Sequence, residues 1–280
     1  FIKENLERFS VTHLCRLLDV TRSGFYAWLS RPASEHKQYD EKLKVAIQEL
    51  HQGYRRSYGA PRLHQELRKK GFNCSVRRVN RLMKELGIKC STANLYVWNA
   101  GMHDFYSSTG NQRPNLGAPS CTGEQWAGDY TYIKTQNGWL YHAVVIDLFS
   151  RRVVGASFSL KRNAHLTKSA LQNAMLRQQP KPGCLFHSDQ GIEYAAHEFR
   201  ELLEKHGFRR SMSRKGKPID NAEVESFFHT MKSELIHQKT FENQVEAVAN
   251  IAEYIAFYNL ERLHSSLGYQ SPDNFEKLCA

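Results

Sequence analysis

No apolar run in the chain approaches the roughly 18 residues that a membrane helix needs; "HAVVIDLF" from His142 is among the longest. No basic stretch followed by an apolar segment and a cleavage site opens it, so the expectation is a protein that is neither secreted nor membrane-bound. The first residue is Phe1 rather than Met, which leaves open a processed chain or part of a longer fusion. The six cysteines stand at 15, 74, 90, 121, 184 and 279, with no CxxC spacing. That argues against a zinc ribbon or a disulfide framework and for reduced thiols in a cytoplasmic protein. Low-complexity tracts are also missing, and no internal repeat shows beyond two helical pairs. With 41% hydrophobic and 24% charged residues, the composition excludes a wholly disordered or fibrous chain.

The 280 residues set an expectation of about two domains. Acidic residues are scarce in the first part. Residues 1–120 carry 20 Lys+Arg against 10 Asp+Glu, whereas residues 121–280 carry 19 against 18. A basic module on a near-neutral one points to a polyanion such as nucleic acid.

Residues 1–33 read as an N-terminal helix-turn-helix. Val11, Leu14, Leu17 and Leu18 form one apolar run, and Phe25, Trp28 and Leu29 the next. "RPASEHKQYD" from Arg31 reads as a polar linker. Residues 34–90 hold a second helix-turn-helix-like region. Pro61 suits a first turn, Gly71 an end, Ser75 a cap and Gly87 a stop. Val76, Val79, Leu82, Met83 and Leu86 make an apolar stripe, leaving Arg77, Arg78, Arg81 and Lys84 as candidate DNA contacts. Residues 91–122, rich in Ser, Gly, Pro and Asn, read as a linker. Three strands then follow with a hairpin signal at Asn137-Gly138, and after them helices alternate with short strands. This order predicts an α/β, ribonuclease-H-like core over 123–240: a mixed five-stranded sheet with helices. A C-terminal helical extension spans 241–280.

Three acids stand where such a core could use them. Asp129 lies inside the first strand, where an acid is costly unless paired or bound to a cation. Asp189 ends the fourth strand before Gly191, at the edge where α/β sheets place their sites. Glu225 borders the apolar face of the helix "DNAEVESFF", in line with Lys232, a candidate phosphate contact. The gap from Asp189 to Glu225 is 35 residues. Three carboxylates at one point imply a hard cation, Mg²⁺ or Mn²⁺. Arg209, Arg210, Arg214, Lys215 and Lys217 form a basic stretch just before that helix, read as phosphate contacts. His187 is read as a packed strand-end histidine. Asp147 is read as structural, paired with Arg151 or Arg152, and Asp220 as a helix cap.

"GDYTYI", "DLFSRRVVG", "HSDQGIEY", "SMSRKGKPIDNAEVESFF" and "YNLERLHSSLGYQSP" resemble the OrfB protein of the bacterial IS-three family of insertion-sequence transposases. "YGAPRLHQELRKKGFNCSVRRVNRLMKELGI" resembles that family's helix-turn-helix, and the likeness covers nearly the whole chain. The resemblance implies a core similar to retroviral integrases, with Asp129, Asp189 and Glu225 as catalytic triad and metal ligands. It implies Mg²⁺ with Mn²⁺ able to substitute, two ions per site with Asp129 bridging, and cleavage followed by 3′-OH strand transfer. The implied partners are double-stranded DNA (terminal inverted repeats and target), further copies of the chain, at least a dimer on DNA, and an OrfA protein, separate or fused. The implied location is the bacterial cytoplasm, at the nucleoid. Tyr258, Arg262 and His264 lie in the C-terminal motif and are read as structural or DNA-backbone residues. Two alternatives stay open: a DNA-binding protein whose core is inert, and a metal-dependent nuclease that cuts without joining.

Overall fold

The computed structural model describes the chain except residues 33, 91–116, 190–191, 214–220 and 280. Most of the expected 91–122 linker, the basic residues Arg214, Lys215 and Lys217, and Asp220 therefore lie outside the described residues.

Helices α1 (Val11–Leu17) and α2 (Arg22–Ser30) are capped by Ser10 and Thr21, whose side chains accept backbone N–H groups. They bury only Leu14, Cys15 and Phe25. Leu17 and Trp28, expected in apolar runs, are exposed.

Helices α3 (Glu35–Gly53), α4 (Ala60–Lys69) and α5 (Val76–Glu85) form a second unit. The expected linker after Arg31 is corrected here, because from Glu35 onward it is the start of α3, capped by Ser34. Most of its polar residues occupy a solvent face, while Leu43, Ala46, Ile47 and Leu50, with Asp40 and His51, are buried. Ser75 caps α5, and Gly71 and Gly87 adopt φ of 84° and 66°, conformations that favour glycine at helix ends. Val76 departs from the expected apolar stripe and is exposed.

The sheet has the order β3-β2-β1-β4-β5. Strands β1 (Gln125–Thr135), β2 (Gly138–Asp147) and β3 (Val153–Ser159) are antiparallel neighbours. Strands β4 (Leu185–Ser188) and β5 (Arg209–Met212) run parallel to β1. Helices α6 (Ala164–Arg177), α7 (Ile192–Ala195) and α8 (His197–Lys205) accompany β4 and β5. With α6 and α8, Trp126, Ala143, Phe186 and Phe199 form one core. A second core joins Ala127, Ile133 and Val144 to α9 (Ala222–Glu234) and α10 (Gln244–Leu260), and extends to the α3–α5 unit. Tyr58 bridges these parts: its hydroxyl accepts from Leu263 N at 3.0 Å and donates to Glu261 O at 3.3 Å. The Asn259 amide exchanges two hydrogen bonds with the Val153 backbone, at 2.9 and 3.0 Å, and so docks α10 on the edge strand. Helix α11 (Pro272–Cys279) is tied to the β2–β3 turn by Glu276, which meets Arg152 at 2.6 Å and Ser150 Oγ at 2.7 Å.

Asp147 is fully buried, and its expected arginine partners are corrected. It accepts from Gly123 N at 2.7 Å, Trp126 Nε1 at 3.1 Å and Phe149 N at 2.9 Å. Arg151 pairs with Glu223 and Arg152 with Glu276. An acid at a strand end collects nearby amide donors more cheaply than it buries a second charge.

Gly155 sets how closely α6 lies on β3. A Cβ there would stand 2.2 Å from Ala170 O and 2.7 Å from Ala174 Cβ. Gly155→Ala should therefore destabilise the fold by about 3 kcal/mol through overpacking. A urea midpoint equal to the native one would show that α6 can yield.

Candidate active site

Parallel pairing brings the two aspartates together. Gly128 is aligned with Ser188, so Asp129 on β1 and Asp189, just past the end of β4, each follow the last aligned pair by one residue. Neighbouring strands lie about 4.8 Å apart. Both acids line one open cleft of about 560 Å³, together with Tyr130, Tyr132, Trp139, Tyr141 and Arg162. Asp129 is half-buried, and the Tyr130 N–H donates to its Oδ1 at 2.7 Å. Glu225 lies in the first turn of α9, which is packed on the sheet through Val224, Phe227, Phe228 and Met231.

The three carboxylates share one field. Burial pushes the Asp129 carboxyl up to about 7; the charges of Asp189 and Glu225 add to this, while the Tyr130 N–H and Lys232 oppose it. Glu225 is raised too, by burial and then by Asp189. Its neighbour Glu223 is paired with Arg151 at 3.0 Å. The acids are coupled without enclosing a point: among the described residues, no three acid, histidine or cysteine side chains stand close enough to hold one ion. The donor chemistry nevertheless fits a hard divalent cation, because Asp129 and Asp189 bring carboxylate oxygens to one cleft and the charge of Glu225 also bears on Asp129.

Lys232 acts on Asp129 as expected of a cation near the acids, and its ammonium also sits 5.6 Å from the Tyr132 ring centroid. His187 is buried, with its ring nitrogens 2.9 Å from Ser211 Oγ and 3.1 Å from Ser213 Oγ, a packed strand-end histidine. Arg209 and Arg210, placed in a basic stretch by the sequence, are exposed on β5. Arg209 donates to Gly183 O at 2.9 Å, and Arg210 is 3.7 Å from Glu204.

The basic face of α5 divides in two. Arg78 and Arg81 both reach Asp40 of α3, each at 2.7 Å, and Arg81 also meets Glu85 at 2.7 Å. Burial would raise the Asp40 carboxyl, but the two guanidinium groups outweigh it and hold it below its ordinary value. Arg77 and Lys84 are exposed. Asp40 was not legible as a partner, since the contact spans 38 residues and two helices.

Tyr258, Arg262 and His264 are buried. Arg262 grips Glu234 of α9 through two bonds, at 2.9 and 2.7 Å, and Tyr254 Oη donates to the same carboxylate at 2.8 Å. These residues brace the helix that carries Glu225.

A basic helical unit followed by a mixed five-stranded core with carboxylates gathered near one sheet edge fits a DNA-processing protein of the integrase-core class. Sequence comparison places the class firmly. A family described as "HTH-like domain" matches residues 38–94, and two described as "Integrase core domain" match 119–218 and 206–272. The chain is 36% identical to the Escherichia coli transposase InsF for insertion sequence IS3A, over 99% of this chain and 97% of that one. It is 37% identical to an insertion element IS600 31 kDa protein of Shigella sonnei, over 94% and 97%. Among solved structures, the HTLV-2 integrase catalytic core domain in complex with magnesium aligns at 17% identity and a TM-score of 0.44, covering 56% of this chain and 97% of that one. The chain belongs to the IS3 family of insertion-sequence transposases. Its core is that of a metal-dependent, DNA-cleaving and strand-transferring enzyme. Among the described residues, no helix is long and apolar enough to cross a membrane.

Proposed function

We propose that Asp129, Asp189 and Glu225 are the catalytic acids, and that they hold Mg²⁺, two ions per site, with Mn²⁺ able to substitute. The observation that carries this reading is the placement of Asp129 and Asp189 in one cleft, with the Asp129 and Glu225 carboxyls both held above their ordinary values by burial and by the charge of Asp189. A bound divalent cation supplies charge to the scissile phosphate and favours the deprotonated form of the attacking hydroxyl. The protein's own part is to place the oxygens. Strands β1 and β4 fix the two aspartates side by side, and α9 supplies Glu225. Water as attacking group leaves a nick with a free 3′-OH, and that 3′-OH attacking a second phosphate joins strands.

The DNA substrate is the pair of terminal inverted repeats and the target. Arg77 and Lys84 on α5, Arg209, Arg210, Arg214, Lys215 and Lys217 before α9, and Lys232 are the proposed phosphate contacts. Arg78 and Arg81 are assigned to the brace on Asp40. Arg78→Ala should then lower stability by about 1–2 kcal/mol, with the folded protein binding DNA near-normally. Arg77→Ala should weaken DNA binding and change stability by less than about 0.5 kcal/mol. Thermal melts beside filter binding separate the two, and the reverse pattern would sink the division. We also assign at least a dimer on DNA, an OrfA partner, separate or fused, and a place at the nucleoid.

The test uses DNA carrying the sequences that flank the encoding gene, incubated with Mg²⁺, Mn²⁺ or EDTA beside the Asp189→Asn protein. Metal-dependent nicks and joined 3′ ends, absent with the variant, are expected. Products that persist in EDTA or with the variant would refute the assignment.

A further inference from the structure

The cleft beside the acids carries aromatic surface that cation binding does not use. Tyr132 is 60% exposed and Trp139 48% exposed, although each is a large ring on a central strand pair. They stand edge to face, with centroids 5.3 Å apart. Tyr141, the cross-strand partner of Tyr132, lines the same cleft. Lys232 lies 5.6 Å from the Tyr132 centroid, and Arg162, paired with Glu193, covers the neighbouring Tyr130 ring at 5.2 Å. A volume of about 560 Å³ is in the range of pockets that take an organic ligand.

These features fit one occupant. Exposed ring faces bind flat π systems, and nucleobases stack on them whatever their identity. The Lys232 ammonium suits a phosphate beside such a base. Inside an intact duplex each base face is covered by its neighbours, so a base can reach the rings only after leaving the stack. The distance sets which base. Tyr132 is three residues along β1 from Asp129, about 10 Å at strand rise. This is about three base steps of B-DNA.

We infer that Tyr132 and Trp139 form a stacking site for an unpaired base within about three nucleotides of the reacting phosphate. The inference rests on the DNA-end reading above. Holding that base outside the helix would free the strand end to bend toward Asp129 and Asp189.

The probe is duplex DNA with the element's end, carrying 2-aminopurine at each of the first positions from the cleavage site in turn. It is mixed with Asp189→Asn protein so that no chemistry intervenes. Binding should raise fluorescence several-fold at one of these positions, and adding Tyr132→Ala and Trp139→Ala should remove the rise. In otherwise native protein, the same two substitutions should slow cleavage of paired ends about tenfold. Ends carrying mismatches at that position should be cut within about twofold of the native rate. Flat fluorescence at every position from Asp189→Asn protein that binds the DNA, while native protein cuts the same DNA, overturns the stacking site and leaves the transposase reading intact. Equal slowing on paired and mismatched ends overturns it too, and a loss of self-association would assign the rings to a copy-to-copy contact instead. Failure of native protein to cut any end with Mg²⁺ would overturn both readings.

Discussion

Asp129→Asn, Asp189→Asn and Glu225→Gln are each expected to reduce strand cleavage and joining by roughly a thousandfold, the several kcal/mol that a correctly held cation contributes. DNA affinity should stay within about threefold of native, because the basic surfaces are untouched. The Asp129 variant carries a second signature. The ordinary carboxyl titrates near 3.8, while in the fold Asp129 titrates near 7. Between those values the folded chain holds a proton that the unfolded chain has released. Stability therefore falls as pH rises through this window and levels off above it. Asp129→Asn removes the titration. The metal-free variant should match the native protein near pH 4 and exceed it above pH 7, by on the order of 3 kcal/mol. Cation binding runs the other way. The ligand must lose its proton to accept the ion, so affinity should rise with pH up to about 7 and then flatten. Chemical melts of the EDTA-treated proteins at several pH values, and calorimetric Mg²⁺ titrations of the native protein, read these trends. A variant less stable than native at pH 8, or Mg²⁺ affinity independent of pH between 5 and 7, would remove Asp129 from the centre of the site.

The proposed site draws on sequence features whose costs are local. An acid among strand formers, as at Asp129, stands out against its neighbours, while Glu225 was singled out by the helical period together with the family resemblance. The order of elements along the chain followed from the change of period after Glu124. What stayed hidden depends on distant partners. Helix α3 was lost because its first six residues, Glu35 to Asp40, are polar, and its charged face masks the Leu43–Ile47–Leu50 stripe. Arg78 and Arg81 looked like free cations because Asp40 is recruited only when α3 packs against α5. Asp147 invited a pairing with adjacent arginines, yet the turn after β2 supplies backbone donors instead. Tyr132 and Trp139 read as ordinary alternating strand residues. Only the register of β1 with β2 and their exposure beside the acids set them apart.

The Glu234–Arg262 pair should be the largest single lever on stability. Its side chains are only 5% and 7% exposed, and Arg62 approaches the same carboxylate at 3.8 Å. Removing one member leaves a charge buried without its partner, a loss of about 3–5 kcal/mol. For a chain of this size that corresponds to roughly 10 °C in melting temperature. Glu234→Ala should show the full loss, since it strands Arg262 and also frees the Tyr254 hydroxyl. Glu234→Leu combined with Arg262→Met should recover most of it, because an apolar pair of similar volume often equals a buried ion pair. Catalysis should not recover with it. Glu234 lies nine residues beyond Glu225 on α9, about 14 Å along the helix, and the two-bond grip of Arg262 sets that helix's position on the sheet. An apolar replacement can fill the space without fixing the angle. Cleavage by the double variant, measured well below its melting point, should remain at least about tenfold below native. Recovery of both stability and cleavage would reduce the pair to packing. Glu234→Ala within about 1 kcal/mol of native would show that α9 is held by its apolar face alone.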